Sequence, residues 1–219
     1  GKDFNSNEKK EWLRKHFQRS KGKQFTDSLK ESPERSSTTH ISVIDSERTC
    51  VSVTFSHGQG CGYLLGDTGI MMNNFIGEED VVPCGYERSL AGERLPTMVA
   101  PSVLETKEGD LHVLGSGGAN RIRSSLVQVI LNLLEGKKTP EEAVSAPRIH
   151  VESGNVSTEI SISNKDLNDF LQISQPFSRN LFSQKDVYFG GVNIVSCLAS
   201  GKIKGAGDPR RGGFCVKVE

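Results

Sequence analysis

Two short runs near the start of the chain alternate β-branched and polar residues. They are 40–45 and 50–56, joined by the polar link Ser46-Glu47-Arg48-Thr49. Such period-two patterning predicts two strands, and the short link predicts a hairpin. In the second run Val51, Val53 and Phe55 form one face, with Ser52, Thr54 and Ser56 on the other. If Asp45 faces Cys50 or Thr49 across the turn, Thr38 comes opposite Ser56 or one residue from it. Further strands are predicted over 100–105, 111–115, 192–195 and 214–218.

Residues 124–135 give the clearest helix, with Leu126, Val127, Ile130, Leu131 and Leu134 as its apolar face and Gly136 as its stop. Thr139-Pro140-Glu141-Glu142 is a capping box with proline at the first helical position, so a short helix follows and ends before Pro147. Residues 151–184 read as a strand, a helix near 165–173 and a loop. Gly205 to Gly213 reads as a tight turn. Strands, then two helices, then strands predict a layered α+β domain with antiparallel sheets.

The first 37 residues have another texture. They are dense in Lys, Arg, Glu and Ser and poor in Val, Ile and Gly. A helix over 8–17 and a solvated linker over 20–37 are predicted there, with a boundary between Ser37 and Thr38. The chain begins without methionine, so it reads as a fragment or a processed piece, and any targeting signal would lie upstream.

Composition narrows the field. With 27 basic and 27 acidic residues the formal charge is zero, which gives no reason to expect nucleic acid or an anionic membrane as partner. No apolar run approaches the roughly 20 residues of a membrane span. The five cysteines are widely spaced with no CxxC pair, and the histidines lack metal-ligand spacing, so neither a zinc site nor another metal cofactor is expected. Free thiols, or one disulfide with an odd thiol, remain the two readings of the cysteines. Asn155-Val156-Ser157 is a glycosylation sequon, relevant only in a secreted eukaryotic protein.

Three places can carry chemistry. A threonine hydroxyl becomes a competent nucleophile if the chain is cut just before it, because the freed α-amino group then serves as its base. Thr38 stands where such a residue is needed, although on local pattern it reads first as the opening of a strand. Gly115-Ser116-Gly117-Gly118-Ala119-Asn120 is either a plain strand-to-helix turn or a loop whose N–H groups hold an oxyanion. Glu78-Glu79-Asp80, beside Asn73-Asn74, is either a solvated loop or a site for a substrate ammonium.

Taken together, these pieces resemble the γ-glutamyltransferase family. The carrying segments are Thr38 to Asp45 (TTHISVID), Gly69 to Asn74 (GIMMNN), Gly115 to Ile122 (GSGGANRI), Ala146-Pro147-Arg148, and Gly207 to Gly213 (GDPRRGG). They run in order over 38–219. The resemblance implies a four-layer αββα sandwich of the N-terminal nucleophile hydrolase type, about half of it supplied by this chain. Residues 38–219 would be the catalytic small subunit, and residues 1–37 the tail of a large subunit that is otherwise absent and supplies an arginine for the substrate carboxylate. It implies self-cleavage at Ser37/Thr38 and attack of Thr38 on the γ-glutamyl amide of glutathione or a related compound. The acyl group would pass to water, an amino acid or a peptide.

By position, Ser56 would contact the nucleophile's amine and Gly118 with Ala119 would form the oxyanion hole. Glu78, with Glu79 adjacent, would hold the substrate's α-amino group near Asn74, and Pro96 and Thr97 would stand where a serine pair touches the α-carboxylate. Pro96-Thr97 is a departure, as is Gly58 where many members carry a glutamyl-binding asparagine, and the segment from Asn74 to Asp80, which replaces the commoner acidic run, resembles a divergent branch of the family. An amidase of the same fold acting on another acyl group, and a truncated inactive homologue, are the alternatives. Family members are commonly periplasmic, extracellular or at the cell surface.

Overall fold

The computed structural model describes residues 38–58, 60–78, 81–82, 92–159 and 178–218. The expected helices over 8–17 and 165–173 and the linker over 20–37 lie outside them, as do Glu79 and Asp80. The chain divides into two compact units, one of residues 1–35 and 60–72 and one of 36–59 and 73–219. In the first, residues 60–72 double back on themselves: Met72 N–H donates to Tyr63 and Leu65 N–H to Ile70 across a turn that the Thr68 hydroxyl closes onto Leu65 O.

The second unit holds every named element. β1 (Thr38–Ile44) and β2 (Cys50–Ser56) form the expected hairpin. β3 (Ser102–Glu105), β4 (Leu111–Gly117), β8 (Gly191–Cys197) and β9 (Ile203–Ala206) form an antiparallel four-stranded sheet in that order. A third sheet is β5 (Ile149–Glu152), β6 (Asn155–Glu159) and β7 (Ser178–Phe182), with β6 and β7 parallel. The helices are α1 (Arg121–Leu134) and α2 (Pro140–Ser145). The main core lies between these helices and the four-stranded sheet, where Ile122, Leu126, Val129, Leu133 and Val144 meet Leu114, Val192 and Ile194. The α2 capping box forms as expected: Glu142 N–H donates to Thr139 Oγ1, and the Glu142 carboxylate accepts from Thr139 N–H.

Several expectations need correction. The helix begins at Arg121, three residues earlier than its pattern suggested, and buries Ile122, Leu126, Val129 and Leu133. Val127, Leu131 and Leu134 are exposed, because the extra turn adds Ile122 and rotates the buried stripe around it. The glycines at 115 and 117 do not start a turn; they complete β4 opposite Asn193 and Gly191, and the turn starts at Gly118. Residues 214–218 form no strand, and Phe214, Val216 and Val218 are exposed. Part of the expected turn over 205–213 is β9 itself, and part of the expected loop before residue 184 is β7.

The hairpin carries the largest surprise. Its hydroxyl face turns inward: Ser52 Oγ donates to Leu114 O, and the buried His40 ring bonds Thr54 and Ser42. Ile41, Val43, Val51 and Phe55 point outward and are exposed. A hairpin with its polar side packed on a sheet and its apolar side bare is inverted relative to the usual solvent-facing pattern.

Candidate active site

The strand register places Thr38 directly opposite Ser56, and their hydroxyls share a hydrogen bond of 2.8 Å. The Ser56 oxygen also accepts from Gly58 N–H at 3.1 Å, so its orientation is fixed from both sides. Gly58 takes the left-handed conformation, with φ of 64°. A side chain there would start 2.0 Å from a Glu78 carboxylate oxygen and 2.5 Å from Asn74 Oδ1. The space a side chain at this position would use is therefore filled by Glu78 and Asn74. Asn74 N–H in turn donates to His57 O, holding this segment beside the end of β2.

β4 closes the other side. A Cβ on Gly117 would lie 2.6 Å from Thr38 O, so only glycine lets the two backbones come this close. Gly118 has φ of 136° and Ala119 has φ of 49°, a strained value for alanine of the kind that clusters at functional sites. Their two N–H groups sit between β4 and the first turn of α1, where Arg121 N–H and Ile122 N–H fold back onto the Gly118 and Ala119 carbonyls. Neither the Gly118 nor the Ala119 N–H has a protein acceptor among the described residues. Two free donors at a helix N-terminus beside a hydroxyl pair suit an oxyanion.

Of the expected site residues, Thr38, Ser56, Asn74, Glu78, Gly118 and Ala119 are thus linked by a chain of neighbours. Glu79 lies outside the described residues. Pro96 and Thr97 are exposed, and the Thr97 hydroxyl accepts from Val99 N–H, closing its own turn.

Sequence reasoning gave no role to the group that holds this corner up. Arg148, Glu159, Asp208 and Arg210 are buried together. Arg210 grips Glu159 through Nε at 2.7 Å and Nη2 at 2.5 Å, and Arg148 Nη2 meets Asp208 at 2.6 Å. Asp208 also accepts from Val192 N–H and Arg210 N–H. Arg148 Nη1 donates to the carbonyls of Phe189 and Gly190, and Gly190 packs against Gly117 O and Gly118. The cluster therefore sets the backbone on which the glycine turn rests. Burial pushes the Arg148 guanidinium below its usual value despite Asp208. Burial presses on Arg210 too, but its bond to Glu159 and the charge of Asp208 outweigh this and raise it. The motifs Ala146-Pro147-Arg148 and Gly207 to Gly213 were the available signal, since an arginine in each invites a shared acidic partner.

Three of the described histidines, His40, His112 and His150, sit in hydrogen-bonded niches. His40 is lowered to about 4 by burial, His112 bonds Ser196, and His150 bonds Ser124. Cys50, Cys61, Cys197 and Cys215 are free thiols, and Cys84 lies outside the described residues. Among the described residues no group of three or more His, Cys, Asp or Glu side chains could hold a metal ion.

Comparison with known proteins accords with this geometry. Residues 2–218 match the family described as gamma-glutamyltranspeptidase. The chain is 30% identical over 188 residues to the capsule biosynthesis protein CapD proenzyme of Bacillus anthracis, covering 85% of this chain and 34% of that protein. The crystal structure of CapD superposes with a TM-score of 0.64 at 28% identity, covering 82% of this chain and 99% of that one. The acylase ACY 1 proenzyme of Pseudomonas sp. strain V22 is 32% identical over 84% of this chain and 33% of its own length. The glutathione hydrolase proenzyme of Escherichia coli K12 is 24% identical over 81% of this chain and 32% of its own. The chain spans about a third of the length of these relatives. Its fold is that of the N-terminal nucleophile hydrolases, of which it supplies a part, and the chain belongs to the γ-glutamyltranspeptidase family.

Proposed function

We propose that this chain is the catalytic portion of a γ-glutamyl hydrolase or transferase whose nucleophile is Thr38. The observation that carries the proposal is the 2.8 Å bond between Thr38 Oγ1 and Ser56 Oγ, with Thr38 packed against Gly117 and the Gly118 and Ala119 N–H groups lacking an acceptor among the described residues. In maturation the Thr38 hydroxyl attacks the Ser37 carbonyl. The Ser37–Thr38 C–N bond breaks, an ester forms and the α-amino group is freed; water then hydrolyses the ester. In turnover that amine takes the hydroxyl proton as Oγ1 attacks the γ-glutamyl carbonyl. Gly118 and Ala119 N–H groups receive the developing oxyanion, and the proton passes to the departing amine. Water, an amino acid or a peptide then takes the acyl group from Thr38.

Glu78, with Glu79 beside it in sequence, is the partner for the substrate's α-ammonium, and Asn74 steadies it. Pro96 and Thr97 lie toward the α-carboxylate, where proline has removed one side-chain donor. The bare apolar face of the hairpin, with Ile41, Val43, Val51 and Phe55, supports cover by a large subunit from the same precursor.

A second reading, an amidase for another acyl group, is favoured by Gly58, by Pro96-Thr97 and by the likeness to an acylase. The full-length gene product separates the two when offered γ-glutamyl-4-nitroanilide and glutaryl-4-nitroanilide, which differ only in the α-ammonium. Preference for the γ-glutamyl compound, lost in Glu78→Gln, supports the first reading. Equal or faster cleavage of the glutaryl compound would overturn it in favour of the second.

A further inference from the structure

Arg211 is the one charged residue of the Asp208–Arg211 turn whose side chain the charge cluster does not use. Its Nε is buried without a hydrogen-bond partner, and no hydrogen bond or ion pair holds its guanidinium among the described residues. Asp208 offsets its charge only in part, because its two oxygens are already taken by Arg148, Arg210 and two backbone N–H groups. The side-chain stem lies against Gly191, where a Cβ would meet Arg211 Cδ at 2.6 Å, and Nη2 lies 3.5 Å from where a Gly118 Cβ would project. The guanidinium thus stands beside the oxyanion turn.

A second guanidinium is near. Arg121, in the first turn of α1, is anchored by Nε to Tyr188 O at 3.1 Å and lies 4.8 Å over the Tyr188 ring. Burial, and then the charge of Arg121, push the Arg211 guanidinium below its usual value. Two like charges within electrostatic reach of each other, one of them partly buried and only partly offset by Asp208, favour an anion between them. Paired planar guanidinium groups are suited to a carboxylate.

We infer that Arg211 and Arg121 form a carboxylate subsite for the leaving or accepting side of the substrate. The inference rests on the γ-glutamyl reading and extends it. In a γ-glutamyl group the α-ammonium and α-carboxylate share one carbon, so both belong near Glu78. Glu78 is reached from Thr38 through Ser56 and Gly58, whereas Arg211 is reached through Gly117 and Gly118. A carboxylate at Arg211 therefore comes from the other side of the scissile amide: the amine that departs, or the amino acid or peptide that replaces it.

The test compares γ-glutamyl-4-nitroanilide with γ-glutamyl-3-carboxy-4-nitroanilide on the full-length gene product. Wild type favours the carboxylated compound in kcat/KM. Arg211→Gln lowers that preference about ten- to a hundredfold, Arg121→Gln lowers it less, and Arg211→Lys keeps part of it. An unchanged ratio in both glutamine variants overturns the proposal. A second reading independent of turnover is calorimetric titration with glycylglycine and glycylglycinamide. The dipeptide binds more tightly, and Arg211→Gln removes the difference; equal affinities in wild type overturn the subsite. Carboxylate-dependent binding without cleavage of either anilide would uphold the subsite and sink the γ-glutamyl reading alone.

Discussion

Arg210 and Arg211 are adjacent, yet one is locked and the other is unpaired. Arg210 is buried and satisfied by Glu159, Asp208 and the carbonyls of Val144 and Ala146. Arg211 points toward Gly118 with no ion pair among the described residues. The difference extends to their surroundings. Around Arg210 two cations meet two carboxylates, which is how a buried ionic group survives, and only Arg148 Nε in that cluster is left without a hydrogen bond. Around Gly118, by contrast, two N–H groups and one guanidinium are left over among the described residues, beside a strained alanine. The first region is built for folding, and the second is left open for a ligand.

The widest separation is expected on removing the cations. Arg210→Met should cost about 3–5 kcal/mol in urea unfolding, because Glu159 and Asp208 lose their compensation, while Arg211→Met should cost less than about 1 kcal/mol. Equal costs would break the distinction between the two regions. Next comes His40, whose ring is held to about 4 by burial. Its unfolded value is near 6.5, so between pH 6.5 and 4 the unfolded chain binds more protons than the folded one. Stability should therefore decline as pH falls through that window, by at most about 3 kcal/mol, and His40→Gln should flatten the slope in acid titration of unfolding.

Ser56→Ala belongs to the open region. It should lower kcat about ten- to a hundredfold with little change in denaturation midpoint; a large stability loss with unaltered kcat per folded molecule would move Ser56 into the structural class. The smallest effect is Thr139→Ala, which removes one half of the α2 capping box and should cost about 1 kcal/mol with kcat unchanged.

Much of this division can be read from the chain, and where reading stops is physically informative. Hairpin register follows from strand length and link length, so Thr38 opposite Ser56 was within reach before any coordinates. The capping box is equally local. The face that each strand buries is another matter: Ser52, Thr54 and His40 pack inward because Leu114 and the neighbouring side chains offer them partners, a fact set by tertiary contacts. The helix start moved for the same kind of reason, since Ile122 finds a core that periodicity over 124–135 does not reveal. Asp208 pairs with Arg148 across 60 residues, so the cluster's motifs were visible but their union was not. Gly118 and Ala119 were identifiable as a special turn, whereas the unpaired state of Arg211 is a property of the assembled neighbourhood alone.

The central claim is that Thr38 becomes a free N-terminal nucleophile. Its most direct test is the intact mass of the full-length gene product, fresh and after incubation, alongside Thr38→Ala. The account predicts a fragment beginning at Thr38 in wild type and a single uncut chain in the variant. A wild-type chain that turns over substrate while uncut at Ser37/Thr38, or cleavage that persists in Thr38→Ala, would contradict it.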